Sequence, residues 1–180
     1  MKVLAGAFGI RPGGSKAGVV TFSYNAEHSI RLKDHDQMSS FMQAVDSIPL
    51  MGSTTRIDKA LRLSQSELFS LSNGARPGIP KLLILLTDGS QTQDVDAEDP
   101  SAIANELRKK GIKVIVIGIG SGVDQAELIQ LGGGDDNVFS ANTFEELIGG
   151  EFITKVTTSS CDTGMLQFQF CGGTETFYKF

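Results

Sequence analysis

Two uninterrupted apolar stretches of strand length constrain the fold of this chain more than any other feature. They span Lys81–Thr87 (KLLILLT) and residues 113–119 (KVIVIGI). A strand that is apolar at nearly every position is usually buried on both faces, as in a parallel sheet covered by helices. Residues 99–110, between them, have the length of a helix, and Gly111 follows as a natural helix end. The two stretches therefore predict a β-α-β unit.

The remaining segments continue the alternation of strand and helix. Residues 17–24 are rich in β-branched and aromatic side chains, which predicts a strand. Residues 27–32 alternate polar and apolar, which predicts an edge strand paired with it in a hairpin. The other predicted elements are helices at 2–8, 36–48, 56–69 and 125–131, a strand at 137–140, and a last helix that is capped by Thr143 and holds Phe144, Leu147 and Ile148. This order predicts a doubly wound, mostly parallel α/β sheet with helices on both faces.

Length and charge narrow the class of protein. The chain has 180 residues, 40% of them hydrophobic, which suits one domain with a real core. Its net charge is −5 and it has no basic run, so we expect no nucleic-acid partner. No stretch approaches the roughly 20 apolar residues of a membrane span, so we expect no membrane insertion. The first ten residues lack the apolar core of a signal peptide, so the sequence alone does not indicate secretion.

The regular pattern is predicted to stop at Thr157. Residues 157–180 are rich in Thr, Ser, Gly and Phe without a helical period. We therefore predict a domain over residues 1–156, followed by a tail, a linker or the start of another module. Cys161 and Cys171 lie in this tail. They form either a small disulfide loop or two unrelated thiols.

The residues just past each buried strand are the places to look for chemistry, because ligands of open α/β sheets bind outside the carboxyl ends of the strands. Asp88 follows the first buried strand, in the sequence Thr-Asp-Gly-Ser. It could bind Mg²⁺ as in nucleotide hydrolases, but the chain has no G-x-x-x-x-G-K-[ST] loop for phosphates. The alternative is an aspartate that caps a turn or helix.

A second candidate place is residues 52–61, GSTTRIDKAL, where hydroxyls crowd the start of a helix. They serve either as a helix N-cap or as oxygen ligands of a hard cation such as Mg²⁺. The nearby acidic residues are Asp94, Asp96, Glu98 and Asp99. They suggest a second cation site or, as we favour, a solvated acidic loop that opens a helix.

Four segments, in this order, carry a family resemblance: GSTTRIDKALRL, KLLILLTDGSQT, LRKKGIKVIVIGIG and DNVFSANTFEEL. From about residue 2 to about residue 155, the chain resembles the von Willebrand factor A family, in the style of collagen VI and matrilins. The resemblance implies a Rossmann-like fold with a metal-ion-dependent adhesion site. It implies that Asp88 and Thr55, with Thr54 as the less favoured neighbour, serve Mg²⁺ or Mn²⁺. Ser90 would support the Asp88 turn, and Ser121 would lie at the rim.

One departure from the family pattern concerns its first motif, Asp-x-Ser-x-Ser, which this sequence does not contain. In the family that motif ends a central first strand, expected here between the strands at 17–24 and 81–87. We therefore expect a gap in the sheet, with unpaired backbone groups on both sides. We also expect metal binding to be weak or absent in this chain and complete in the intact domain.

The resemblance implies a non-enzymatic, extracellular adhesion module. A carboxylate from a matrix protein or receptor would complete the coordination of the ion. Two alternatives stay open: a metal-independent assembly module of extracellular matrix, and an intracellular ATPase-associated A domain.

Overall fold

The computed structural model describes residues 2–49, Gly52, 54–161 and 175–178. Its strands are β1 Lys16–Phe22, β2 Ala26–Ile30, β3 Lys81–Thr87, β4 Ile112–Ile119, β5 Val138–Ala141 and β6 Glu175–Tyr178. They form one six-stranded sheet in the order β2-β1-β6-β3-β4-β5. Among the described strands, the β1–β2 hairpin alone is antiparallel, as predicted for the edge. The other pairs are parallel, which confirms the doubly wound fold.

Helices cover both faces of the sheet. Those in the described ranges are α1 Lys2–Ala7, α2 Met38–Asp46, α3 Ile57–Leu63, α4 Pro100–Lys109, α5 Gln125–Gly132, α6 Phe144–Leu147 and α7 Gly150–Cys161. A π-helical stretch, Ser64–Leu68, prolongs α3. The predicted cap Thr143 accepts from Glu146 N at 3.4 Å. Asp99, directly before α4, accepts from Ser101 N at 2.9 Å. None of these helices is long and apolar enough to cross a bilayer.

The two apolar strands β3 and β4 divide the core into two layers. Leu82, Ile84 and Leu86 face the layer under α1, α2 and α7. Leu83 and Leu85, which alternate with them, face the layer under α3, α4 and α5. All five are at most 2% exposed. This confirms that strands without a polar face are buried on both sides.

The centre of the sheet differs from the prediction. The expected gap between β1 and β3 is occupied in part by β6, which is parallel to both strands. On one side Lys16 to Val19 pair with Glu175 to Tyr178. On the other side Lys81 to Leu83 pair with Glu175 to Phe177. A segment from the predicted tail therefore supplies a central strand.

The end of α7 also corrects the prediction that regular structure stops at Thr157. The helix continues to Cys161. Its hydroxyls bond back to the preceding turn, with Thr157 Oγ1 donating to Ile153 O at 2.9 Å and Ser160 Oγ to Val156 O at 2.6 Å. The domain boundary at residue 156 stays a prediction. The pairing of the two cysteines falls on Cys171 and on the side chain of Cys161, which lie outside the described residues.

Candidate functional site

The turn after β3 places Asp88 at the carboxyl end of the sheet. Thr87 holds this turn: its Oγ1 donates to Gly89 O at 2.6 Å and accepts from Gly89 N at 3.3 Å. Asp88 and Ser90 are exposed. Within the described part of the chain, the Asp88 carboxylate has no hydrogen-bond or ion-pair partner. It therefore caps neither a turn nor a helix there, which leaves it free to bind a ligand.

The loop before α3 brings its hydroxyls to the same end of the sheet. A Cβ atom built on Gly89 would lie 3.4 Å from Thr55 Oγ1, so this hydroxyl is directly beside the Asp88 turn. Thr54 Oγ1 is buried and has no hydrogen-bond partner among the described residues. A buried hydroxyl without a partner is costly, and a cation would relieve that cost. Thr55 therefore fits a cation site beside Asp88, Thr54 is its neighbour in the chain with an unpartnered hydroxyl, and their assignment as ligands stays a prediction.

Four hydrogen bonds hold the Thr55 loop against the loop that follows Asp88. Thr55 N donates to Thr92 Oγ1 and Thr92 N donates to Thr55 O, each at 2.9 Å. Asp58 N donates to Gln91 Oε1 at 3.1 Å, and Gln91 Nε2 donates to Asp58 Oδ1 at 2.8 Å. These bonds therefore join the two candidate ligand loops to each other.

A buried ion pair lies behind these loops. Arg56 is 0% exposed and Asp58 is 2% exposed. Arg56 donates from Nε and Nη2 to the two carboxylate oxygens of Asp58, at 2.9 and 2.7 Å. Its Nη1 donates to Asp96 Oδ1 at 2.6 Å. We call Arg56, Asp58, Gln91 and Asp96 the Arg56 network.

The network fixes the charge of Asp58. Burial opposes ionisation of this carboxyl, but hydrogen bonds from Arg56, Gln91 and the backbone N–H of Glu98 outweigh it. They hold the pKa of Asp58 well below its usual range. The hydrogen bond to Asp58 in turn raises the pKa of Arg56. Both groups are therefore charged at neutral pH.

Sequence reasoning missed the Arg56 network, although one signal was present. Asp58 lies three residues before Leu61 and so shares the buried stripe of α3. A carboxylate on an apolar stripe needs a cation or several donors nearby. Arg56, two residues earlier, was the obvious partner.

The acidic residues at positions 94–99 make ion pairs and a helix cap within the fold. Asp96 pairs with Arg56, and Glu98 pairs with Arg62 at 2.6 Å. Asp99 caps α4. Across the described ranges, no group of three or more His, Cys, Asp or Glu side chains is placed to hold a metal ion. Asp96, Glu98 and Asp99 therefore have partners within the fold, and the choice between a helix-opening loop and a second cation site stays a prediction.

The loop after β4 approaches the candidate site from the other side. A Cβ atom on Gly122 would lie 2.6 Å from the carbonyl oxygen of Asp88, so the two backbones are in close contact. Ser121, the neighbour of Gly122, is exposed. The structure thus brings Ser121 to the end of the sheet that carries Asp88, and its role at the rim stays a prediction.

The substitution Gly122→Ala tests this close contact. The new methyl group would force the backbone of Asp88 to shift, and we expect a loss of about 1 to 3 kcal/mol in the free energy of unfolding. Urea unfolding gives the loss, and amide chemical shifts of residues 88–90 report the movement. Gly6→Ala is the control, because a Cβ atom there meets nothing within 4 Å. Equal stability of the two variants would contradict the contact.

Comparisons with known sequences agree with this architecture. The family profile of the von Willebrand factor type A domain matches residues 1–152. The von Willebrand factor A domain-containing protein 2 of Xenopus laevis is 31% identical over 157 residues, 87% of this chain and 19% of that protein. The collagen alpha-6(VI) chain of Mus musculus is 38% identical over 131 residues, 72% of this chain and 5% of that protein. The chain thus spans less than a fifth of either relative.

Solved structures also resemble this chain. Proximal thread matrix protein 1 of the mussel byssus superposes with a TM-score of 0.81 at 29% sequence identity, over 89% of this chain and 41% of that one. A second structure of that protein, described as having a zinc-occupied MIDAS motif, superposes with a TM-score of 0.75 at 29% identity, over 82% of this chain and 36% of that one. Sequence, sheet order and structural likeness agree, and the chain belongs to the von Willebrand factor type A domain family.

Proposed function

We propose that this chain is a non-enzymatic binding module of extracellular matrix, which binds a carboxylate of a partner protein through Mg²⁺ or Mn²⁺. The observation that carries the proposal is the position of the Thr55 hydroxyl beside the Asp88 turn, where the Asp88 carboxylate has no partner in the described part of the chain. The likeness to a collagen VI chain and to a byssus matrix protein supports a location in the matrix. Asp88 and Thr55, with Thr54 as the alternative, would hold the ion.

The number of oxygen ligands sets the strength of this site. Mg²⁺ prefers about six oxygens and exchanges its water reluctantly. Among the described residues, Asp88 and one threonine supply two protein side chains, so we expect the chain on its own to hold the ion weakly. A partner carboxylate adds a charged oxygen, and the ion then joins two proteins. Ser90 and Ser121, which are exposed, would contact the partner around the ion.

A second candidate function is metal-independent assembly within the matrix. Its support is the small number of oxygen ligands among the described residues. In that case helix faces or the acidic loop would make the contacts, and divalent cations would have no effect. The two candidate functions therefore differ in whether binding to the partner depends on divalent cations.

The test is a solid-phase assay with the immobilised chain and soluble fibrillar collagen, which offers many carboxylates. We expect binding in Mg²⁺ or Mn²⁺ that is lost in EDTA. Asp88→Ala should lower the metal-dependent binding at least about tenfold, equivalent to about 1.4 kcal/mol. Asp135→Ala, which removes an exposed carboxylate before β5, should bind as the unchanged chain does. Equal binding in EDTA would contradict the metal role and favour metal-independent assembly.

A further inference from the structure

Two positions in the chain join an aspartate or an asparagine to a following glycine. They are Asp88–Gly89, the single Asp-Gly pair, and Asn73–Gly74, the single Asn-Gly pair. Glycine has no side chain to shield its backbone nitrogen, so this nitrogen can attack the preceding side chain. In an unfolded chain Asn-Gly reacts faster, because a neutral amide is a better electrophile than an ionised carboxylate. By sequence alone, Asn73 is therefore the more reactive of the two.

The fold holds the Asn73–Gly74 pair in place. Asn73 Nδ2 donates to Glu67 O at 2.9 Å. Gly74 N, the nitrogen that would attack, donates to Leu71 O at 3.1 Å. A Cβ atom built on Gly74 would lie 2.7 Å from Lys33 N, so the backbone around the pair is tightly packed. Both reacting groups therefore have other partners, which should slow the reaction at Asn73.

The Asp88–Gly89 pair is open by comparison. Asp88 is exposed, and its carboxylate has no partner within the described ranges. Gly89 N donates to Thr87 Oγ1 at 3.3 Å, which is longer than a typical N–H···O bond. A Cβ atom built on Gly89 would meet Thr55 Oγ1 alone among the described atoms, at 3.4 Å. The structure therefore reverses the order of reactivity expected from sequence.

We propose that the Asp88–Gly89 pair is a site of spontaneous isomerisation to isoaspartate. Gly89 N forms a bond to Asp88 Cγ, and one carboxyl oxygen leaves as water with the amide proton and one proton from solvent. A second water molecule then opens the cyclic imide at either carbonyl. One product is aspartate again, and the other is isoaspartate, whose main chain passes through the former side-chain carbonyl. The reaction needs water and no other reactant.

Isoaspartate at position 88 changes the turn after β3. The main chain gains one methylene group, and the free carboxylate is attached directly to Cα. The functional consequence rests on the proposed function, because the displaced carboxylate no longer suits a cation beside the Thr55 hydroxyl. An ion bound to the Asp88 oxygens opposes the loss of one of them as water. Cation binding and isomerisation therefore compete for the same carboxylate, and a chain without its ion loses the site with age.

Incubation of the full chain in EDTA and in water enriched in heavy oxygen tests the proposal, because each opening of the imide inserts one oxygen from water. After weeks at body temperature, peptide mapping by mass spectrometry should find the label and isoaspartate at position 88, with Asn73 unchanged. In the urea-unfolded chain Asn73 should be modified first. Gly89→Ala is the matched variant, since its methyl group shields the nitrogen and makes an ordinary contact with Thr55. It should reduce the label at position 88 to the level of the other aspartates.

Label at Asn73 before Asp88 in the folded chain, or label at Asp88 no higher than at the other aspartates, would overturn the proposal. A parallel incubation in excess Mg²⁺ separates it from the proposed function. We expect slower labelling of Asp88 in Mg²⁺ than in EDTA. Equal labelling in the two solutions would contradict the cation role of Asp88, while the isomerisation itself would stand.

Discussion

Asp58→Asn is expected to lower the free energy of unfolding by about 3 kcal/mol, the largest effect of a single exchange near the site. The substitution keeps the shape of the side chain and removes its charge. Arg56, which is 0% exposed, then loses the counter-charge that binds it through two hydrogen bonds. Because folded domains are stable by only about 5 to 15 kcal/mol, such a loss is readily visible in urea unfolding.

The matched control is Asp96→Asn, which removes the other carboxylate bonded to Arg56. The side chain of Asp96 is 61% exposed, so water can replace it and a smaller loss is expected. The comparison separates a buried ion pair from an exposed one on the same guanidinium. If Asp58→Asn proves as mild as Asp96→Asn, the two candidate ligand loops are not held together by buried charge.

Acid should destabilise the unchanged chain through the same carboxyl group. The pKa of Asp58 in the folded protein lies well below its usual value of 3.8. Its contribution to stability is therefore complete above that usual value and is lost as the pH falls towards the folded pKa. We expect a loss on the order of 2 to 3 kcal/mol as the pH falls from about 5 to about 2.

Melting temperatures of the unchanged chain and of Asp58→Asn, measured across that pH range, test this expectation. The unchanged chain should show the steeper decline, because the variant has no carboxyl at position 58 to protonate. Asp96, whose pKa is lowered chiefly by its hydrogen bond from Arg56, titrates in both proteins. Parallel profiles would show that Asp58 is not the acid-sensitive group.

The parallel sheet could be predicted because the apolar composition of its strands indicates that both of their faces are buried. β3 and β4 are apolar at consecutive positions, and only burial on both faces suits such strands. The place of Asp88 followed from the same pattern, since it is the first polar residue after a buried strand at the end where ligands bind. Both features can be recognised in a short segment of sequence, without knowledge of the rest of the fold.

The central strand could not be predicted, because its pairing partners are distant in the chain. Glu175 lies beside Lys16 and Lys81, and nothing in its own neighbourhood encodes that arrangement. The end of α7 was missed for another reason. Thr and Ser are weak helix formers, but Thr157 and Ser160 return their hydroxyls to helix carbonyls, and Val156 is buried. Tertiary packing thus overrode propensity.

The sequence named candidate residues for the site, whose role as ligands stays a prediction, but it did not reveal the contacts that support them. The family resemblance of the segment GSTTRIDKALRL pointed to Thr55, and the structure places Thr55 beside the Asp88 turn. The hydrogen bonds that fix this arrangement join residues 33 to 40 positions apart, so sequence spacing could not reveal them.

Paramagnetic broadening by Mn²⁺ detects even weak ion binding and locates it, so it shows whether Asp88 and Thr55 hold a cation together. We expect dilute Mn²⁺ to broaden the amide signals of Thr55 and Gly89 first, and Asp88→Ala to abolish this selectivity while the other signals keep their positions. Broadening centred on the acidic loop at residues 94–99, or an unchanged pattern in Asp88→Ala, would contradict it.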